Sequence, residues 1–333
     1  MPEVITLTGH DLTPEAVLAV AHNSTVHVAL ANETQHRVLA SRSVVDNILK
    51  SDKIVYGINT GFGALSACSI PSHQLSQLQV NLIRSHAAGT GEPLDKPSVR
   101  AMMLLRANTL AKGFSGVRLG VIKQLLNFLN HDLYPVVPSQ GSLGASGDLA
   151  PLAHLALTLI GEGELFNTEH HRMPALAMLR EKKIPALQLE AKEGLALLNG
   201  TQMMTALGLL TLHQAEQLSL IAEIAGTMTI EAIQGSARPF DDQVAQVRPH
   251  KGHIRSAAIA RTLLADSEIM AAHTDCAKVQ DPYSLRCIPQ VHGAVFDALE
   301  QTRTTLTIEA NAATDNPLIF PDGEIISQGN FHG

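Results

Sequence analysis

The stretch from Asn199 to Gly235 limits the fold more than any other part of this 333-residue chain. Read as one helix, with Gly208 and Gly226 as the places where it can bend, it runs about 55 Å at the rise of an α-helix. An element of that length belongs to a bundle rather than to a compact α/β domain. Its most apolar window, Leu207 to Ile224, is broken by His213, Gln214, Glu216, Gln217 and Glu223, so it reads as a buried helix and not as a membrane span. Composition agrees. With 45% hydrophobic residues, 3% aromatics and no tryptophan, the core must be built from Leu, Ala, Ile, Val and Met, which suit close helix packing. The expected class is mainly α.

Upstream, the helix signals are short and well punctuated. Thr13 as N-cap with Pro14 behind it predicts a helix to about His22. Helical spacing continues over Asn32 to Lys50, His73 to Ala88, Pro97 to Lys112, Val117 to Asn130 and Leu149 to Ile160, with Gly89-Thr90-Gly91 and Gly113 read as C-terminal caps. Tyr56-Gly57-Ile58-Asn59-Thr60-Gly61-Phe62-Gly63 is too rich in glycine for a helix and reads as a loop. Residues 133–138 read as extended, 164–190 as an excursion with a short helix or hairpin, and Ala237 to Lys251 as a Pro-containing loop. The texture changes near 193, which divides the chain into an N-terminal domain, 1–192, and a helical bundle, 193–333. Only two long helices, the second at Pro289 to Ala310, and one medium helix, Ile254 to Leu264, follow that point. They are too few to cover one another's apolar stripes. The bundle is therefore expected to be incomplete, through C-terminal truncation or through helices borrowed from other subunits.

Several function classes drop out. A formal net charge of −7 argues against nucleic acid or an acidic membrane surface as partner. Cys68, Cys276 and Cys287 are odd in number and lack CxxC spacing, which fits reduced thiols in a cytoplasmic protein. Met1-Pro2-Glu3-Val4 opens no signal peptide. Sixteen histidines invite a metal, yet neither His170-His171 nor the His250 and His253 pair has a zinc-site pattern, so no metal is expected. The Gly-rich loop has no following Gly-Lys-Ser/Thr to cradle phosphate. Gly144-Ala145-Ser146-Gly147 lacks the GxSxG spacing of a nucleophile elbow.

What remains is a group of polar segments bounded by apolar helices: Tyr56 to Gly63, Ser85-His86, Asn199-Gly200-Thr201-Gln202, Gln280-Asp281-Pro282-Tyr283-Ser284-Leu285-Arg286, and Asn311 to Asn316 with Asn330-Phe331-His332. Beside them stands Ala145-Ser146-Gly147. One account makes Ser146 or Asp148 the cap of a helix beginning near Leu149, with Pro151 in its first turn. The other is chemical: the Gly147 nitrogen attacks the Ala145 carbonyl, Ser146 loses water across Cα and Cβ, and the chain acquires an electrophile that no side chain provides.

The joint occurrence and order of these motifs resemble the aromatic amino-acid ammonia-lyases and aminomutases. Tyr56 to Gly63, Gly144 to Leu152, Leu198-Asn199-Gly200-Thr201, Gln280 to Cys287, Asp315-Asn316-Pro317 and Gly329-Asn330-Phe331-His332 carry the resemblance across the whole chain. It implies an all-α architecture of the ammonia-lyase and fumarase/aspartase kind, with a 4-methylidene-imidazol-5-one (MIO) group formed autocatalytically from Ala145, Ser146 and Gly147 and no external cofactor. Ser85-His86 matches the substrate-selecting pair of the histidine-acting members, so the implied reaction is non-oxidative deamination of L-histidine to trans-urocanate and ammonia, the first step of histidine degradation. Family members continue past residue 333 and form homotetramers, and on that ground this chain looks truncated.

The resemblance also implies roles. The methylidene carbon derived from Ser146 bonds to the substrate, and Tyr56 takes the β-proton. Arg286 binds the carboxylate as a fork. Asn199, Gln280 and Tyr283 line the site, His86 contacts the substrate imidazole, and Phe331 packs near the MIO. A helix beginning near Leu149 would turn its positive end toward the new ring. Two alternatives stay open: a tyrosine or phenylalanine lyase or aminomutase of the same family, and a non-catalytic helical fragment or pseudoenzyme lacking the C-terminal part of the site.

Overall fold

The computed structural model describes residues 3–143, 147–167, 169–273 and 278–331. The chain is mainly helical, as expected, and divides into two compact units, residues 1–209 with 306–333 and residues 210–305.

The first unit is arranged around helix Lys96–Ala111, whose residues from Ser98 to Ala111 are all buried. Its apolar residues, Met102 to Leu105 among them, go round every face of the helix, which suits complete burial and not one stripe. Asp95 starts it by accepting from the Ser98 amide, 3.0 Å, with Pro97 in the first turn. The polar residues inside it are core residues too. Arg100 donates to the carbonyls of Val20 and Leu129 at 2.8 and 3.1 Å, and Asn108 donates to the Ala310 carbonyl at 3.0 Å. Helices Pro14–His22, Asn32–Leu49 and Leu119–Asn130 pack against it, the first capped by Thr13 as its sequence demands. Helices Leu75–His86, Leu149–Leu159 and Glu193–Leu198 pack on one another and carry the candidate site.

Small sheets tie the loops of this unit. Val4–Leu7 pairs in parallel with His27–Leu30, and Glu164–Phe166 pairs with both Tyr134–Pro135 and Arg172–Pro174. The 164–190 excursion is thus a hairpin followed by a short helix, Ala175–Glu181. Gly89-Thr90-Gly91 is not a helix cap. The helix ends at His86, and Thr90–Pro93 is a strand paired with Pro138–Gln140, because a partner distant in sequence supplies the hydrogen bonds a cap would have taken.

The second unit has its own core of Ile230, Phe240, Ala245, Ala257, Ala260, Leu264, Leu285 and Ile288. Helix Gln202–Ala232, 31 residues long, enters it, as does Ile288–Ala310. Helix Lys251–Leu264 meets Ile288–Ala310 at a glycine pair, where a Cβ on Gly252 would fall 1.9 Å from the Gly293 carbonyl oxygen. Ala237 to Lys251 is more ordered than a loop: it contains a 3-10 turn, Arg238–Phe240, and a helix, Asp242–Val247, begun by the Asp241 carboxylate on the Gln243 amide at 2.9 Å. Pro239 misleads there, since it occupies the 3-10 turn and not the helix. Among the described residues, no helix is long and apolar enough to cross a membrane.

Candidate active site

Ala145 and Ser146 lie outside the described residues, so the site is built from what surrounds them. Their flanks are held together. The Leu143 amide donates to the Gly147 carbonyl at 2.8 Å, and Ser142 Oγ donates to the Asp148 carboxylate at 2.8 Å. Gly147 has φ +68, a left-handed conformation that favours glycine, and forms a parallel bridge with Gly200. Asp148 occupies the N-cap position of helix Leu149–Leu159 without capping it. Its other carboxylate oxygen accepts from the Met204 amide at 2.9 Å, so it caps the first turn of helix Gln202–Ala232 instead.

Asn199 ends helix Glu193–Leu198 and is almost fully buried. Its Nδ2 donates to the Asn316 carbonyl at 2.9 Å, and its Oδ1 accepts from Asn330 Nδ2 at 2.6 Å. Asn330 and Gln328 hold the 314–316 turn from the far side, Gln328 donating to the Asp315 carbonyl at 2.7 Å. Beneath this layer lies a buried ionic cluster that motif spacing did not reveal. Lys192 Nζ meets Asp315 Oδ2 at 2.8 Å with both side chains fully buried, and Arg106 donates to Gln202 Oε1 at 2.8 Å and to the Ala196 carbonyl. Burial pushes the Arg106 guanidinium down to about 10, against the opposing pull of Asp315 and Asp148. The Lys192 ammonium is likewise pushed down by burial, with Asp315 opposing. Asp315 and Gln202 stand in motifs already named, whereas the only sequence signal available for Lys192 and Arg106 was the charge itself, as with Arg106 inside an apolar pattern.

Ser85 and His86 end helix Leu75–His86. His86 Nδ1 lies 2.8 Å from the Leu82 carbonyl oxygen and 3.0 Å from Ser85 Oγ, while the Ser85 hydroxyl donates to the same carbonyl at 2.8 Å. A carbonyl only accepts, so Nδ1 carries a proton, and in the neutral ring Nε2 then presents a lone pair. Gly89, just beyond, donates its amide to His154 Nε2 at 3.1 Å, linking this segment to helix Leu149–Leu159. Burial holds the His154 imidazole below its ordinary value, in keeping with an acceptor role.

Tyr56 is half-buried, its ring edge-on to Phe62 at 6.3 Å, and with Pro317 and Ile325 it lines a cavity of about 400 Å³. Phe331 is exposed. These residues, with His86, Gly147 and Asn199, belong to the first unit. Gln280, Tyr283 and Arg286 belong to the second. There the Arg286 guanidinium stacks on the Tyr283 ring at 3.9 Å and its Nε donates to the Asp281 carbonyl at 3.0 Å. Its two terminal nitrogens make no hydrogen bond among the described residues, and Arg286 and Gln280 line a cavity of about 930 Å³. Neither histidine pair flagged in the sequence forms a metal site, and no metal-binding cluster occurs among the described residues.

Comparison with known proteins extends the geometry. The family described as aromatic amino acid lyase matches residues 12–333. The chain is 52% identical over 330 residues to a histidine ammonia-lyase of Myxococcus xanthus (strain DK1622), covering 99% of this chain and 65% of that relative. It is also 52% identical over 340 residues to a histidine ammonia-lyase of Anaeromyxobacter sp. (strain K), covering 99% and 67%. Among solved structures, histidine ammonia-lyase from Trypanosoma cruzi superposes with a TM-score of 0.89 at 40% identity, covering 99% of this chain and 61% of that one. Tyrosine aminomutase from Streptomyces globisporus gives 0.89 at 38% identity, covering 99% and 65%. The chain thus spans about 65% of the length of the curated relatives it matches. On the family match and the identity over nearly its whole length, the chain belongs to the aromatic amino acid lyase family.

Proposed function

We propose that the protein to which this chain belongs removes ammonia from L-histidine without oxidation, giving trans-urocanate. The observation that carries this reading is the 52% identity, over 99% of the chain, to a relative named histidine ammonia-lyase. The His86 tautomer supports it: an acceptor at Nε2 complements a ring N–H and offers nothing to a plain phenyl ring.

The residues present fit an MIO group formed from Ala145, Ser146 and Gly147. The Leu143 to Gly147 hydrogen bond and the left-handed Gly147 hold the ends of the segment together, as cyclisation between Ala145 and Gly147 requires. Once formed, the group supplies an electrophile that bonds the substrate and makes its amine a leaving group. Tyr56 is the base for the β-proton. Arg286, stacked on Tyr283 and with two terminal nitrogens that make no hydrogen bond among the described residues, forks onto the substrate carboxylate. Asn199 keeps one N–H and one Oδ1 lone pair beyond those used by Asn316 and Asn330, which it can offer to the substrate, and Gln280 and Phe331 are assigned to the substrate site by the family resemblance alone.

The reading includes a cytoplasmic homotetramer, with an MIO-bearing domain over 1–192 and a bundle from 193 that is larger in the complete protein. Free Cys68 and Cys287 support the compartment. The test is to supply the full-length protein with L-histidine, L-tyrosine and L-phenylalanine and to follow urocanate, coumarate, cinnamate and β-amino acids. Urocanate is expected to dominate. Dominant coumarate, cinnamate or β-amino acid would move the protein to another branch, and no product at all would leave the non-catalytic alternative.

A further inference from the structure

Helix Glu193–Leu198 is only six residues long, yet both its ends grip the same dipeptide. At the front, Lys192 Nζ meets Asp315 Oδ2 at 2.8 Å, and at the back, Asn199 Nδ2 meets the Asn316 carbonyl at 2.9 Å. Lys192 holds this pose with φ +75, a left-handed backbone that a lysine adopts only when its surroundings impose it. The imposition is visible. Glu193, buried next to it, receives the Arg118 amide and guanidinium at 3.1, 2.8 and 2.7 Å, so the turn before the helix is fixed from outside while the ammonium is fixed within. Asp315 is committed as well, its Oδ1 accepting the Asn316 amide at 2.7 Å. A buried ion pair is weak as a stabiliser, since apolar or neutral replacements often serve as well, and its retention is better explained by the geometry it sets.

We propose that Lys192 and Asp315 are positioning residues for the reaction, an ion pair that fixes the Asn199 carboxamide and, through Gly200, the backbone beside the Ala145-Ser146-Gly147 segment. Gly200 follows Asn199, bridges to Gly147 and accepts the Asp148 amide at 3.3 Å, so a shift of the clamp reaches both candidate site elements. Lys192 does not touch substrate in this account. It acts through Asp315 and Asn316, and the claim rests on the proposed function in that Asn199 is taken to line the substrate.

The test uses the full-length protein and two variants. Lys192→Met/Asp315→Asn removes both charges together and keeps an acceptor for the Asn316 amide, whereas Asp315→Glu keeps both charges and moves the carboxylate by one methylene. Both are expected to fold, to lose at least 100-fold in kcat with KM within threefold, and to exchange amide hydrogens at least tenfold faster over 147–152 and 195–202, with 100–110 unchanged. A purely structural pair would leave a folded double-neutral variant with parental kcat and exchange, and that result overturns the proposal. Failure of both variants to fold overturns it too, making the pair a folding element. Should the parent form no urocanate, the reading of the reaction fails, and the exchange comparison, which uses no turnover, still decides the positioning claim.

Discussion

Tyr56, proposed as the base, has its ring against Phe62 and no hydrogen bond from its hydroxyl to a described residue. Tyr56→Phe is expected to lower kcat by about 10²–10⁴-fold, the usual share of a general base, while leaving the mass of the 145–147 segment as in the parent. Parental turnover would remove Tyr56 from that role. Arg286→Lys keeps the charge but loses the fork and the stack on Tyr283, so KM for L-histidine should rise about tenfold or more in steady-state assays. An unchanged KM would place the carboxylate elsewhere. Tyr56 and Arg286 could be singled out as candidates in the sequence because each sits in a compact motif. Lys192 and Arg106 could not, and Asp315, although part of a quoted motif, gave no sign of its partner, because Lys192 and Asp315 meet across 123 residues and Arg106 reaches a carbonyl across the core, and local spacing carries neither.

At the scale of elements, the sequence signals were strongest where a helix starts on its own residues, as at Thr13-Pro14, and weakest where another segment completes it. Asp148 illustrates the limit: it stands where a cap belongs, yet caps the helix that begins at Gln202. Thr90–Pro93 illustrates it again, since its strand exists only beside Pro138–Gln140. Two element contacts give tests. His154, on helix Leu149–Leu159, accepts from Gly89 and has its pKa lowered by burial from 6.5. The unfolded chain therefore takes up this proton first as pH falls, and the stability the contact contributes, full above pH 6.5, is lost below it as pH descends toward the folded pKa. Thermal denaturation at pH 8 and pH 5.5 should show a larger drop in Tm for the parent than for His154→Gln, and equal drops would count against the contact. Gly252→Ala would set a Cβ on the Gly293 carbonyl and should cost about 1–3 kcal/mol by denaturant titration, as overpacking does. A neutral result would mean that the two helices can separate there freely.

At the scale of the molecule, Leu218, Met228 and Val291 are 65, 64 and 61% exposed, on the two long helices whose apolar residues the sequence left without cover. The full-length protein is therefore expected to elute as a tetramer in size-exclusion chromatography and residues 1–333 alone as monomer or aggregate. A stable tetramer of the shorter chain would show that these faces need nothing beyond residue 333. All of the proposed chemistry depends on one event, the making of an electrophile from Ala145, Ser146 and Gly147, whose flanks carry the Leu143 to Gly147 bond and the Gly147 to Gly200 bridge. The intact mass of the folded, full-length protein tests it most directly. The account predicts a mass lower than that of the encoded sequence by two waters, localised to a peptide containing 145–147 and absent in Ser146→Ala, and an unchanged mass in active, folded protein would contradict it.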